Sequence, residues 1–397
     1  FFFLFFCFFF LLLFFFFIFF FLSLLLFFFP LLSPQISTII PPCPPSSFVS
    51  RSTPFLAGVG SEHEGHEEQK ETVDEHQTNS SRYEQPKNPE RWAYLKHYQV
   101  PWANSELDQN GYPLPLTPEH LKGQSQYAVQ PATTEQIEST SKTLGVDSNP
   151  LIKADERLLF RHLVAYCWAT FDDCMRPVDG PEVELQFIKP KPRPVKQQPY
   201  RLTPAKVDCL KKQIEEWLRD GVIREAKSPW AFPVLMLPKK GAEPGTANAF
   251  RTAIDFRKLN VMLKDDSYPS PRLDDVLGFL ANRKYRTSLD IRWGYHNLGL
   301  SKQAQEVVTF SSPVGTFSYL RLPLGVKPAG GRFCRQFQND LSEWIWRDLV
   351  TFVDDVTIGH AERQKHVQTD VDVFCHLANK GYSMKTKKIN LLAENFE

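Results

Sequence analysis

The sequence predicts an α+β protein in which an antiparallel sheet carries helices on one face. From residue 199 onward, short runs of β-branched and aromatic residues alternate with segments of helical spacing, and Pro/Gly turns separate them. An acidic hairpin, Val350–Gly359, lies between two amphipathic helices. The N-terminal third has no such pattern, and we expect it to be largely disordered.

The acidic hairpin has apolar β-forming arms on both sides of Asp354 and Asp355, which we place at its tip. A third acid, Asp290, lies inside the strand-like run Tyr285–Trp293. Charges held beside a protein interior need a partner, and a divalent cation can serve as one. The sequence therefore predicts that Asp290, Asp354 and Asp355 form one metal-binding cluster.

An Asp-Asp pair alone is weak evidence, because a plain surface turn explains it equally well. The dipeptide occurs four times, and Asp274–Asp275 falls on a helical pattern where the acids would form a solvated face.

The net charge of +1 hides an asymmetry between the two halves of the chain. From Pro181 onward the net charge is +9, while residues 1–180 carry −8. A basic C-terminal half suits a polyanionic partner.

The seven scattered cysteines lack CxxC spacing, which argues against a disulfide framework or a zinc ribbon. This pattern favours an intracellular protein, in cytoplasm or nucleus.

Residues 1–33 are a Phe/Leu-rich run with two interpretations. The stretch 1–29 is long and apolar enough for a transmembrane helix, which would give membrane association. The alternative is a translated polypyrimidine tract, since Phe, Leu, Ser and Pro have pyrimidine-rich codons and the chain does not begin with Met. Residues 34–150 are of low complexity and are expected to be mostly disordered.

Residues 151–198 predict a short helix followed by a basic, Pro-rich linker. A helix then begins at Pro204 and ends near Gly221. Two strands, Trp230–Pro238 and Arg251–Phe256, flank a loop entered by Lys239 and left by Arg251. That loop is either a solvated hairpin turn or a mobile basic loop able to close over phosphates.

Further elements follow in the order helix, strand, two strands, helix, hairpin and helix. This order brings Asp290 and the hairpin onto adjacent strands. The predicted ranges are Leu273–Leu280, the Asp290 strand, Val307–Phe310, Phe317–Leu322, Phe333–Trp346, the acidic hairpin and a helix ending at Gly381.

From about Pro199 to Phe396 the chain resembles the reverse transcriptases of gypsy-class long-terminal-repeat retrotransposons. The resemblance rests on ordered blocks that include GVIREAKSPWAFPVLMLPKK, FRTAIDFRKLN, SLDIRWGYHNL, FSYLRLPLGVKPA, FVDDVTIG and GYSMKTKK. It implies right-hand polymerase fingers at about 199–284 and palm at about 285–397, and templated addition of deoxynucleotides to a primer.

The resemblance also assigns roles to residues. Asp290, Asp354 and Asp355 match the carboxylates that hold two Mg²⁺ ions, with Mn²⁺ as a substitute. The remaining matches concern the incoming deoxynucleoside triphosphate. Lys239 and Arg251 match residues that contact the triphosphate, and Leu324 and Gly325 match residues that line the nucleotide pocket. Tyr295 matches an aromatic residue that lies beneath the sugar and excludes a ribose 2′-hydroxyl. Asp255 and Arg257 match a structural pair.

Four residues depart from the family pattern. Phe352 stands where Tyr is usual and Leu324 where Phe is usual, while Pro328 and Gly330 alter the following turn. The chain stops at Glu397, so the resemblance implies a polyprotein piece without thumb and RNase H. The implied partners are an RNA or DNA template with its primer. The alternative is a catalytically incompetent nucleic-acid-binding remnant.

Overall fold

The computed structural model describes residues 82–190, 192–239, 249–269 and 271–394. The Phe/Leu-rich run 1–33 lies outside these residues, as do residues 34–81 of the segment expected to be disordered. None of the helices within the described ranges has both the length and the apolarity to span a membrane.

The described elements follow one another in a mixed order of helices and strands. The α-helices are α1 Thr134–Thr143, α2 Ala154–Tyr166, α3 Trp168–Phe171, α4 Pro204–Arg219, α5 Arg257–Asn260, α6 Leu273–Ala281, α7 Lys302–Val307, α8 Ala329–Asp340 and α9 Arg363–Lys380. The strands are β1 Ile223–Glu225, β2 Phe232–Pro238, β3 Phe250–Ile254, β4 Tyr285–Asp290, β5 Thr309–Ser311, β6 Thr316–Tyr319, β7 Leu349–Phe352, β8 Asp355–His360 and β9 Asn390–Ala393.

Two sheets organise the chain from residue 199 onward. The first, in the order β1-β6-β5-β2-β3, contains one parallel pair, β2 with β5. The second, in the order β7-β8-β4-β9, is antiparallel throughout. Helix α9 packs on β8 and β4 of the second sheet. The predicted α+β fold class, with an antiparallel palm sheet, is confirmed.

Most predicted elements from residue 199 onward form close to their predicted ranges. Helix α4 begins with Pro204 in its first turn, where the missing N–H costs nothing. Helix α9 ends at Gly381, whose φ of +87° is the left-handed conformation that glycine adopts without strain. The helix predicted over Phe333–Trp346 instead runs from Ala329 to Asp340, and a series of turns begins at Leu341.

The segment 82–180, here called the connector, differs from its prediction. The expected disorder over 34–150 does not hold for residues 82–150, which contain α1 and two fully buried aromatic residues, Tyr94 and Trp102. Tyr94 also forms part of a hydrogen-bonded pair with His162 of α2, at 2.5 Å. The few large aromatic side chains of the connector join the same hydrophobic core as the residues of the second sheet.

The connector packs against the palm through helix α9. Phe171 stacks on Phe374 with ring centroids 5.9 Å apart, and the buried sulfur atoms of Cys167 and Cys375 lie 3.6 Å apart. The predicted short helix within 151–198 is therefore part of one packed body with the palm, rather than a separate element before it.

Candidate active site

The acidic hairpin is formed by β7 and β8, with Phe352 paired to Asp355 at its end. The two-residue turn consists of Val353 and Asp354, so Asp355 is the first residue of β8 rather than part of the tip. Val353 has a φ of +61°, which two-residue hairpin turns require and which a β-branched residue adopts only under constraint.

Strand β4 brings the third acid to the hairpin. Asp290, at the end of β4, is the register partner of Asp355 in β8. The next residue, Ile291, donates its backbone N–H to the carbonyl oxygen of Asp354 at 3.3 Å. The predicted adjacency of the Asp290 strand and the hairpin is confirmed, although 64 residues separate Asp290 from Asp354.

The three acids differ in their exposure to solvent. Asp290 is buried, with 8% of its surface exposed, whereas Asp354 is half-buried and Asp355 is exposed. The hairpin end is thus open to solvent, contrary to the expectation that both of its acids would lie against dry protein. Only Asp290 is held in a largely desolvated position.

Two lysine side chains bind the Asp290 carboxylate. Lys385 donates to Oδ1 and Lys388 to Oδ2. The backbone also holds this contact, because the Lys385 N–H donates to the Asp290 carbonyl oxygen at 2.9 Å. The sequence analysis did not identify these lysines as site residues. The available signal was the block MKTKK, which follows helix α9 and contains three lysines within four residues.

The charges of the cluster influence one another. Burial alone would raise the pKa of Asp290, but hydrogen bonds and charge from Lys385 and Lys388 hold it below its usual value. The pKa of Asp355 is raised by partial burial and by the negative charges of Asp354 and Asp290. The Asp355 carboxylate therefore lies close enough to those of Asp354 and Asp290 to be repelled by them.

The acidic cluster carries the negative charge that a divalent cation would neutralise. Asp290 and Asp355 are neighbours across two strands, and their mutual repulsion is what a cation would relieve. In the arrangement seen here the lysines take the two oxygens of Asp290. Within the described residues, no three His, Cys, Asp or Glu side chains converge so as to hold a metal ion.

Tyr295 lies beside the acidic cluster on the one-turn 3₁₀ helix Gly294–Asn297. Its ring meets Phe333 of α8 edge-on, with centroids 5.6 Å apart. Burial raises the pKa of Tyr295, and the negative charge of Asp354 adds to the shift. A Cβ built on Gly330 would lie 3.9 Å from the Tyr295 hydroxyl, so the departure at Gly330 leaves space beside this ring.

Leu324 and Gly325 form the turn that leads toward α8. Leu324 is 48% exposed, and Gly325 has a φ of +91°, which explains the glycine. Asn260 of α5 holds this turn: its Nδ2 donates to the Gly325 carbonyl at 2.8 Å, and its Oδ1 accepts from the Lys327 N–H at 2.9 Å.

Lys239 and Arg251 lie together, but on the first sheet. Lys239 follows β2, and its N–H donates to the Ala249 carbonyl at 2.9 Å. Arg251 is the register partner of Leu237 and is exposed, as is Lys239. Most of the predicted basic loop, residues 240–248, lies outside the described part of the chain. Asp255 and Arg257 form the expected ion pair, at 2.7 Å.

Residues 237–397 match the family described as "Reverse transcriptase (RNA-dependent DNA polymerase)". This part of the chain, about two fifths of its length, therefore resembles a reverse transcriptase domain. The matched range contains the acidic cluster, its lysines, Tyr295 and the Leu324–Gly325 turn. The match itself begins within β2, and the connector lies before it.

Curated relatives of this chain are polyproteins of retrotransposons. The chain is 27% identical over 316 residues to the retrovirus-related Pol polyprotein from transposon 297 of Drosophila melanogaster, covering 77% of this chain and 28% of that protein. It is 32% identical over 191 residues to the retrovirus-related Pol polyprotein from transposon gypsy of the same fly, and this match covers 48% of this chain and 18% of that protein. The chain therefore spans less than a third of these relatives.

Solved structures support the fold of the reverse transcriptase domain. The foamy viral protease-reverse transcriptase in complex with RNA/DNA hybrid is 19% identical, with a TM-score of 0.57, covering 66% of this chain and 34% of that one. A second foamy viral protease-reverse transcriptase structure, in complex with double-stranded DNA, has a TM-score of 0.58 at 20% identity. That match covers 69% of this chain and 47% of the foamy viral chain.

Proposed function

We propose that this chain carries an RNA-directed DNA polymerase site that adds deoxynucleotides to a primer by two-metal nucleotidyl transfer. The register pairing of Asp290 with Asp355, next to Asp354 in the turn, is the observation that carries the proposal. Asp290, Asp354 and Asp355 would hold the cations, Mg²⁺ by preference because hard oxygen ligands suit it. When bound, such a pair of ions supplies Lewis-acid stabilisation at the attacking and leaving oxygens.

The remaining residues position the substrates. Tyr295, held edge-on against Phe333, is proposed to form the surface beneath the nucleotide sugar. Lys239 and Arg251, exposed at the end of the β2–β3 hairpin, are proposed to bind the triphosphate. An RNA or DNA template with its primer is the proposed partner, and the nucleic-acid complexes of the foamy viral relatives support this class.

Single-nucleotide incorporation tests the assignment. The full chain is mixed with an RNA template, a DNA primer and Mg²⁺, and the Asp354→Asn and Asp355→Asn variants are compared with the parent. Each variant is expected to lose extension by more than about a hundredfold, because a ligand to the catalytic cations is lost. Asp274→Asn is the matched control, since Asp274 belongs to another Asp-Asp pair and is exposed on α6.

Two outcomes contradict the proposal. Extension by Asp354→Asn and Asp355→Asn at the parental rate would remove both residues from the site. Salt-sensitive duplex binding without extension by the parent would instead favour a non-catalytic nucleic-acid-binding remnant.

The sugar-binding role of Tyr295 is tested separately. Tyr295→Ala is expected to admit ribonucleotides because the ring that opposes a 2′-hydroxyl is gone. Unchanged discrimination between deoxy- and ribonucleotides would show that Tyr295 does not contact the sugar.

A further inference from the structure

The binding of Asp290 by two lysines raises a question about how a cation reaches this residue. Both carboxylate oxygens already accept hydrogen bonds, one from each lysine. A divalent cation that uses Asp290 as a ligand needs at least one of these oxygens. The lysines and the cation therefore compete for the same atoms.

Backbone contacts bring the segment that carries the two lysines beside Asp290. Met384 forms a bridge with Ile291, and the Lys385 N–H donates to the Asp290 carbonyl oxygen. Lys388 ends the 3₁₀ helix Thr386–Lys388, which directs it back to Asp290. The fold thus places both lysines within reach of the Asp290 carboxylate.

The two lysines offset most of the negative charge of the acidic cluster. Three carboxylates faced by two ammonium groups leave a formal charge of −1. Asp290 in particular is too buried for water to replace these partners, because its side chain is only 11% exposed. A cation entering the cluster would repel both ammonium groups while attracting the carboxylates.

We propose that Lys385 and Lys388 are resident counter-ions of Asp290, which hold both of its carboxylate oxygens until a divalent cation displaces them. This inference rests on the proposed function, since it concerns the same three carboxylates. Cation binding at Asp290 then requires release of the lysines. The cluster accordingly binds a cation more weakly than its three carboxylates alone would.

The test is the affinity of the full chain for Mn²⁺, measured without nucleic acid. Free Mn²⁺ gives an electron paramagnetic resonance signal that is lost when the ion binds, so the signal reports the bound fraction. Lys385→Gln and Lys388→Gln are each expected to bind Mn²⁺ about threefold tighter or more, and the double variant tighter still, because an ion-pair competitor is removed. Lys385→Arg, which keeps the charge and the donors, is expected to restore the parental affinity.

Lys387→Gln is the matched control. It removes the same charge from the same 3₁₀ helix, but Lys387 is exposed and is not one of the donors to Asp290. A tightening in Lys385→Gln and Lys388→Gln that is no larger than in Lys387→Gln would overturn the proposal, because general charge would then explain it. Circular dichroism confirms that each variant is folded.

A measurement on the parent keeps the proposal testable if a variant does not fold. Acetylation of lysines by an amine-reactive ester, read by mass spectrometry, is expected to increase at Lys385 and Lys388 when Mn²⁺ is added and to stay constant at Lys387. Unchanged labelling at Lys385 and Lys388 while Mn²⁺ binds would overturn the proposal.

Failure of the proposed function gives a different result. If Asp290→Asn, Asp355→Asn and the parent all bind Mn²⁺ equally, the carboxylates are not cation ligands and both proposals fail. If the aspartate variants lose Mn²⁺ but the lysine variants match Lys387→Gln, the metal site stands and only the counter-ion role is refuted.

Discussion

A buried ion pair between the connector and the palm allows a quantitative test of how much their contact stabilises the folded chain. Glu156 of α2 is 1% exposed, and its carboxylate pairs with Arg363 at the start of α9. Glu156 also accepts hydrogen bonds from the Tyr98 hydroxyl at 2.7 Å and the Lys153 N–H at 3.0 Å. Arg363→Met removes the only basic side chain in this set of Glu156 partners.

The expected cost of Arg363→Met is about 3 kcal/mol of unfolding free energy, at the low end of the range for breaking a buried pair. The low end applies because Glu156 keeps its two other donors and Arg363 is itself 16% exposed. A loss of this size is a large fraction of the roughly 5–15 kcal/mol that stabilises a typical domain.

Urea unfolding followed by circular dichroism measures this loss. Arg161→Met is the matched control, because Arg161 forms a 2.9 Å pair with Asp147 in which both side chains are at least a third exposed. We expect the control to lose less than about 1 kcal/mol. Equal losses in Arg363→Met and Arg161→Met would refute the view that the connector is stabilised through the palm.

The same pair predicts a pH dependence. Burial would raise the pKa of Glu156, but Arg363, Tyr98 and the Lys153 N–H together lower it below 4.5. The folded state therefore favours the ionised form, so this contribution is complete above pH 4.5 and is lost as the pH falls through the lowered pKa.

Two further predictions concern stability. Gly381→Ala should lower the free energy of unfolding in urea by roughly 1–3 kcal/mol, because φ is +87° and the new Cβ would lie 2.7 Å from the Pro177 carbonyl oxygen. Gly111→Ala is the control: its φ is +85° but its Cβ would meet open space, so it should lose less unfolding free energy. Burial lowers the pKa of His162 and of His296 to about 4, so only the unfolded chain binds these protons near pH 5. Each histidine should then remove about 2 kcal/mol between pH 7 and pH 5; equal urea midpoints at both values would contradict this.

The palm was predictable because its local signals agree with one another. The arms of the acidic hairpin are β-branched and aromatic, and Asp290 lies in a run of the same kind, so their pairing followed from the order of elements. The exact turn did not follow, because Val353 adopts a left-handed φ that residue preferences argue against.

The connector was not predictable from its composition. Its many Pro, Ser, Glu and Gln residues predict disorder on average, whereas its order depends on a few aromatic residues such as Tyr94 and Trp102. Part of its packing surface, helix α9, lies 200 residues further along the chain. The binding of Lys385 and Lys388 to Asp290 is likewise a long-range contact, so periodicity could not reveal it.

The connector also contacts the candidate active site through the backbone. The Thr170 carbonyl accepts from the Met384 N–H at 2.8 Å, and Met384 forms the bridge with Ile291 that places Lys385 beside Asp290. Asp173 further pairs with Arg292, two residues beyond Asp290. Thr170 and Asp173 lie before the matched range 237–397, whereas Met384 and Arg292 lie inside it. The geometry of the acidic cluster therefore depends in part on residues that precede the matched range.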